Sequence, residues 1–322
     1  MGRDHDAQAS LNEGAYMDVK KSLITFSLLA FLAISQMIVD LQNLYGFPIN
    51  APNARTLFGG FTLGAADFRV TRETGFGQEL NVFQENLTGV YGATGDLTLG
   101  LTLPLVQKEL EFKTASGKTS QITSSGLGDL SLVGVYRFYR RDVPRATTQF
   151  SIIGGIKAPT GSTSQRDRNA PSLTGTASRR VPRPLQPGSG SWDGIVGIAG
   201  FQNLDQLSFY GSVQGKINSE DENFRFGSNL HYDFTVDYVT LSERNLFFVL
   251  EFNGISAGRN EVNGRNVRNS GGHTLFISPG IEYLPLPNMI LETSVQIPVV
   301  QDLNGRQPEK RFSVVVGLRY LF

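Results

Sequence analysis

The last eleven residues, FSVVVGLRYLF (312–322), alternate along their whole length. Phe312, Val314, Val316, Leu318, Tyr320 and Phe322 fall on one face, and Ser313, Val315, Gly317, Arg319 and Leu321 on the other. A period of two marks an extended strand, because successive strand side chains point to opposite sides. The period recurs upstream. Met289, Leu291, Val295, Ile297 and Val299 alternate with Glu292, Ser294 and Gln296, and Leu207, Phe209, Val213 and Ile217 with Ser208, Tyr210, Gln214 and Lys216. Leucines at every second place from Leu97 to Leu105 are separated by Thr98, Gly100, Thr102 and Pro104. The clearest segment, Phe224 to Tyr238, reads as one strand. It sets its aromatic face against Arg225, Asn229, His231, Asp233, Thr235 and Asp237.

These segments are about ten residues long, the length a tilted strand needs to cross a bilayer. Strands of soluble sheets average about five or six. The connections separate the two readings. Leu284–Asn288, Leu241–Asn245, Asn203–Gln206, Tyr139–Thr148 and Gly92–Asp96 are short; Gln301–Arg311, Ala257–Gly271, Pro159–Ser191 and Gln107–Gly126 are long, with Asn218–Asn223 a brief exception. Short turns at one rim and long loops at the other are the pattern of barrels spanning the outer membrane, the turns lying in the periplasm. Eleven strands are readable from about Glu79 onward, and an even count requires a first strand within Leu57–Val70. The fold class that follows is all-β: a transmembrane antiparallel up-and-down β-barrel of about 12 strands, closed because no unpaired edge survives in hydrocarbon.

Composition agrees. The 322 residues hold 36 glycines, too many for a coiled coil or helical repeat, and 40% hydrophobic residues, too few for a bundle of membrane helices. The 29 basic residues balance 29 acidic ones, so no charge excess points to nucleic acid as a partner. No cysteine is present, which removes disulfides, thiolate metal sites and cysteine nucleophiles.

The apolar run Leu23–Ile34 behind Lys20 and Lys21 has the length of a secretory signal core rather than a membrane span. Residues 1–40 are accordingly read as signal peptide with an N-terminal extension, Met17 being an alternative start, and cleavage is expected between Ile34 and Ala54. An N-terminal membrane anchor is the other reading. Residues 41–56, with Phe47-Pro48 and Ala51-Pro52, make a poor strand and form either a periplasmic segment or a plug; residues 57–322 are the barrel. Val314, Val316, Leu318, Tyr320 and the terminal Phe322 resemble the C-terminal assembly signature of bacterial outer-membrane proteins. That resemblance implies the outer membrane of a Gram-negative envelope as location. It also implies the barrel-assembly machinery, outer-membrane lipid and lipopolysaccharide as partners.

On the polar register, Arg137, Asp237, Glu251, Glu282, Glu292 and Arg319 stand a few residues above the short-turn rim and are expected to form a mixed-charge band in the lumen. Such a band is either a constriction that selects solutes or a set of pairs that braces the wall. Arg225, His231 and Asp233 are placed on the same face. A His231–Asp233 pair with Ser212 would be the one catalytic arrangement available. It points inward, whereas a lipolytic enzyme needs its nucleophile at the lipid surface, so no catalytic residue, metal site or cofactor is assigned. Asn218–Asn223 holds three acidic residues and is a cation site or a solvated hairpin tip. In the loop 159–191, Arg166, Arg168, Arg179, Arg180 and Arg183 fit contact with lipopolysaccharide, an inward gate, or a mobile segment, and its Pro and Ser content favours mobility.

ATGDLTLGLTLPLV (93–106), SSGLGDLSLVGVYRFYR (124–140), IIGGIKAPTG (152–161) and the closing stretch from LFISPGIEYLPLPNM (275–289) to GLRYLF together resemble the outer-membrane family named after the meta-pathway of phenol degradation, over roughly Leu80 to Phe322. The resemblance implies a 12-strand barrel and passive transport of small solutes, often hydrophobic or aromatic, akin to long-chain fatty-acid transporters. It transfers no catalytic motif. A structural or adhesion barrel working through its loops, and a barrel enzyme using His231, are the other expectations.

Overall fold

The computed structural model describes residues 48–114, 117–170, 179–240 and 245–322. The expected signal peptide and its cleavage site lie outside the described residues, apart from the last positions of the cleavage window. The wall consists of β1 (Thr62–Gly75), β2 (Gln78–Gly92), β3 (Leu97–Lys113), β4 (Thr119–Leu127), β5 (Ser131–Val143), β6 (Ala146–Lys157), β7 (Asp193–Leu204), β8 (Leu207–Asn218), β9 (Asn229–Val239), β10 (Leu246–Ala257), β11 (Gly272–Leu286), β12 (Met289–Leu303) and β13 (Glu309–Leu321). All pairings are antiparallel, and β13 pairs with β1, from Leu63↔Leu321 up to Thr74↔Glu309, to close the sheet.

Thirteen strands occupy twelve places. The lower half of β3 pairs with β5 (Leu97↔Tyr136 to Thr102↔Ser131) and its upper half with β4 (Leu105↔Leu127 to Lys113↔Thr119). The break between β4 and β5 falls opposite Pro104, which has no N–H to give a ladder. Gly128 sits against its ring, and a Cβ there would come within 2.8 Å. The long loop expected over Gln107–Gly126 is therefore mostly strand, β3 running to Lys113 and β4 starting at Thr119. The first strand starts later and runs further than expected, Thr62–Gly75 rather than 57–70, and turns into β2 through Phe76 and Gly77, both at positive φ (54° and 74°).

The two faces have opposite chemistry. Exposed outward side chains include Ile152, Ile156, Val196, Ile198, Val213, Phe234, Ile297 and Val316. Polar inward ones (Ser151, Thr235, Asp237, Glu251, Ser278, Glu282) are shut off almost completely. That inverts the soluble rule, as lipid outside and a polar interior require. Tyr91, Tyr136, Phe138, Tyr139, Tyr238 and Tyr283 are exposed at the short-turn ends of their strands, the aromatic girdle of a membrane interface. On the outer face the Tyr232 ring lies flat over Gly254 of the neighbouring strand and its hydroxyl meets His273 Nε2 at 3.2 Å.

Candidate functional site

Pro48 to Leu57 does not continue the wall. Two prolines and Asn53 break its alternation, and its backbone and the Asn50 side chain bond instead to inward side chains from six strands. Glu251 of β10 accepts from the main-chain N–H of Ile49 (2.9 Å) and Asn50 (3.0 Å) and from the Asn50 amide (2.5 Å). Asn50 also donates to Ser294 Oγ of β12 (3.0 Å) and accepts from Arg69 of β1 (3.0 Å). Arg319 of β13 donates to Pro48 O (3.0 Å), Ser151 of β6 to Ala54 O (2.6 Å), and Leu57 N–H to Thr98 Oγ1 of β3 (2.8 Å). Partners on strands all around the wall place this stretch inside the lumen. Gly280 leaves room for it: a Cβ there would lie 2.7 Å from Ile49 Cδ1. Ala54 joins a small apolar cluster with Ile153, Ala199, Phe201 and Tyr210, and the Arg55 guanidinium stands 5.1 Å over the Phe201 ring.

The expected charge band surrounds this segment. Asp237, Glu251, Glu282 and Glu292 all face inward and are buried, the first three at 1% exposure or less. Arg319 pairs with Glu292 across the β12–β13 register (2.8 Å), and Gly317, directly opposite Glu292, supplies the space its carboxylate fills. Sequence reasoning missed Asp67 and Arg69, inward on β1: Arg69 bonds Gln296 Oε1 at 2.6 Å and Asp67 accepts from Asn86 at 3.0 Å. Alternation of Asp67 and Arg69 with Ala66, Phe68 and Val70 was the available signal, in the strand with the least regular pattern.

Two of the expected lumen residues stand apart from the band. Arg137 faces inward, opposite Ser151, and grips the β2–β3 turn at the rim through Asp96 (2.7 Å) and Gly95 O (2.8 Å). Arg225 lies outside the wall altogether. Residues 224–238 are not one strand: Phe224–Arg225 belongs to a small four-stranded sheet with Glu220–Asp221, Glu261–Val262 and Arg265–Asn266, and Arg225 pairs there with Glu261 (2.5 Å). The break comes at Gly227, where the chain passes so close to Gly258 that a Cβ would meet its carbonyl. His231 and Asp233 do face the lumen. Ser212 donates to Asp233 at 3.0 Å, not to His231, so these three residues do not form a nucleophile–base relay.

The described parts of the long loop, 158–170 and 179–192, are packed against the inner wall rather than left free. Val181, Leu185 and Ala170 form an apolar cluster with Ile122, backed by Leu80, Leu110 and Phe112. Lys108 donates to Pro184 O and Gln186 O, both at 2.9 Å. At the base of the loop Lys157 sits between Asp129 (2.6 Å) and Asp193 (2.9 Å). The carboxylates of the 218–223 hairpin serve the same loop: Asp221 pairs with Arg183, and Glu222 with Arg180 at 2.7 Å. Among the described residues no group of three or more His, Cys, Asp or Glu is arranged to hold a metal.

Two of the cavities among the described residues adjoin these fillings. A polar one of about 660 Å³ lies under the loop, bounded by Lys108, Asp129, Lys157, Gln186, Lys216 and Asn229. A second, of about 370 Å³, lies alongside the N-terminal segment, lined by Leu63, Val90, Val133, Val135, Ile153 and Leu321 and also by Thr88, Thr98, Gln214, Asp67, Glu292 and Arg319. Thr102 borders both.

Comparison with known proteins adds the following. A family described as "Putative MetA-pathway of phenol degradation" matches residues 51–181 and 173–302. No curated protein matches the chain. Among solved structures, an outer membrane channel from Pseudomonas putida F1 superposes with a TM-score of 0.64 at 15% identity, covering 85% of this chain and 100% of that one. The transport unit of the autotransporter AIDA-I from Escherichia coli (TM-score 0.46, 12% identity, 88% and 95% covered) and the KdgM porin in complex with disordered oligogalacturonate (0.44, 10%, 80% and 99%) are looser matches.

Proposed function

This chain belongs to the phenol meta-pathway family of barrels and lies in the outer membrane, and we propose that it is a passive channel for small hydrophobic or aromatic solutes. One observation supports this reading: two cavities, both bordered by Thr102, lie inside the barrel beside the N-terminal segment and the folded loop. The upper one is polar, suited to a hydrated entry. The lower has an aliphatic patch from Leu63, Val90, Val133, Val135, Ile153 and Leu321 beside its polar lining, suited to receive a small ring or short chain. The N-terminal segment and the folded loop narrow the route to solutes of that size, while the charged band holds the segment in place. The apolar outer face fits membrane lipid, and the arginine-bearing outer loops fit the phosphates of lipopolysaccharide.

The test is flux into proteoliposomes holding the purified, heat-modifiable protein, with phenol-sized aromatics, fatty acids and sugars compared. Aromatics should enter faster than sugars of equal mass. Equal rates would remove the solute class, and no entry of any solute would remove the channel.

A further inference from the structure

We propose that Arg259, Arg268 and Arg306, carried on two cross-linked outer loops, form a docking site for the phosphates of a lipopolysaccharide molecule. The inference rests on the contact with that lipid proposed above and gives it a place. The loops are 258–271, between β10 and β11, and 304–308, between β12 and β13. They are tied together by four hydrogen bonds. Asn304 N–H donates to Gly271 O (3.2 Å) and the Asn304 amide to Ser270 O (3.2 Å). Gln307 Nε2 donates to Gly271 O (2.8 Å), and Arg306 N–H to Asn269 Oδ1 (3.0 Å). Gly305 passes so close that a Cβ there would lie 3.0 Å from Arg268 O. Within the first loop Val267 N–H donates to Asn260 O (2.7 Å), which brings the chain at Arg259 beside the chain at Arg268. The Arg259 guanidinium also reaches Asn304 Oδ1 at 3.4 Å. The three arginines thus leave adjoining stretches of backbone whose spacing is held by the loops themselves.

All three side chains are exposed. The polar cavity under the long loop is lined by Gly258, Asn260 and Gly271 of the same stretch, and the arginines take no part in its wall. Over 258–271 and 301–311 six basic residues stand against three acidic ones. Of those acids, Glu261 is held by Arg225 (2.5 Å) and Glu309 by Arg311 (3.6 Å), and Asp302 lies opposite His273 in the β11–β12 register. Arg166 and Arg168 of the longer loop are exposed too, so it is the convergence of three arginines on one tied frame that makes the site. Height identifies the partner. Val299 and Val300 are exposed just below the end of β12 at Leu303, and Arg306 stands three residues beyond that end; Arg259 stands two residues beyond the end of β10. The patch therefore begins where the apolar outer face stops, level with the head groups of the outer leaflet. Guanidinium groups grip phosphate in bidentate, charge-assisted pairs, and a preset spacing lowers the cost of binding. A lipid with several phosphates on one head engages all three arginines, and a lipid with a single phosphate engages fewer.

The test uses the full chain, refolded in lipid-free detergent, with bound lipid counted by native mass spectrometry. Lipopolysaccharide should bind at concentrations where its dephosphorylated form and phosphatidylglycerol leave the protein bare. In the Arg268→Gln/Arg306→Gln variant the main-chain groups that tie the loops remain. It should keep its heat-dependent gel shift and need about tenfold more lipopolysaccharide for half occupancy. Arg166→Gln/Arg168→Gln, an equal loss of charge on the other loop, should bind as the wild type does. Unchanged occupancy in the first variant, an equal loss in both, or equal binding of phosphatidylglycerol or of the dephosphorylated form would overturn the site. None of these readings requires conduction, so the site stands or falls apart from solute flux. Lipopolysaccharide binding that the first variant leaves intact would keep the contact proposed above and remove only its location here.

Discussion

Replacing Glu251 by alanine should open the lumen. The carboxylate receives three hydrogen bonds from the N-terminal segment, at 2.9 Å from Ile49 N–H, 3.0 Å from Asn50 N–H and 2.5 Å from the Asn50 amide. A hydrogen bond to a charged acceptor contributes about 1.5–3 kcal/mol net. The three come from adjacent residues onto one acceptor and do not add, and water reaches the lumen, so two bonds at the low end, about 3 kcal/mol, is a reasonable loss. That changes the ratio of seated to released segment about a hundredfold. The remaining anchors, Arg319 on Pro48, Arg69 on Asn50 and Ser151 on Ala54, keep the segment from leaving fully. Single-channel recording should therefore show a larger and noisier current in Glu251→Ala than in the wild type. Glu251→Gln, which retains one carbonyl oxygen for a main-chain N–H, should fall between them. If Glu251→Ala folds, as judged by its heat-dependent gel shift, and conducts with unaltered amplitude and noise, then the segment does not limit the passage.

Three further outcomes follow from particular contacts. Gly280→Val would bring a Cβ within 2.7 Å of Ile49 Cδ1 and 2.9 Å of Thr293 O, so the same recordings should shift in the direction of Glu251→Ala. Lys157→Met leaves Asp129 and Asp193 close together without their cation, which costs about 3–5 kcal/mol where water does not enter; protease added outside should cut the 158–192 loop faster. Gly254→Ala would drive a Cβ to 2.0 Å from the Tyr232 ring, an overpacking worth about 1–3 kcal/mol, so the barrel should melt at a lower temperature while its conductance stays as in the wild type.

The wall was legible in the sequence because lipid and lumen impose a strict period of two, and a slip of one residue would turn every apolar side chain inward. Hence Glu251, Glu282 and Glu292 could be placed on the inward face from parity alone. Parity also misled. The even-numbered apolar residues continue from Phe224 to Tyr238, interrupted at Ser228, although the chain leaves the wall between them, at Gly227. What parity cannot carry is which non-strand segments fold back inside. Pro, Ser and Arg in the loop 159–191 read as mobility, yet Val181 and Leu185 find the inner faces of β2–β4 across a separation that no local pattern encodes. Pro104 and Gly128, which interrupt the ladder, signal the β4–β5 break only when seen to face each other.

The holders of the N-terminal segment are spread from β1 to β13, and Arg319, which grips Pro48, stands in the strand that closes the seam against β1. The N-terminal segment thus has its full set of holders only when β13 is paired. Narrowing the passage is a late event of biogenesis, completed only once the seam between β1 and β13 has closed. A barrel arrested with that seam open would part Arg69 of β1, which holds Asn50, from Arg319 of β13, which holds Pro48. Correct assembly and a tight permeability barrier are then one requirement, enforced by the same few residues at the seam.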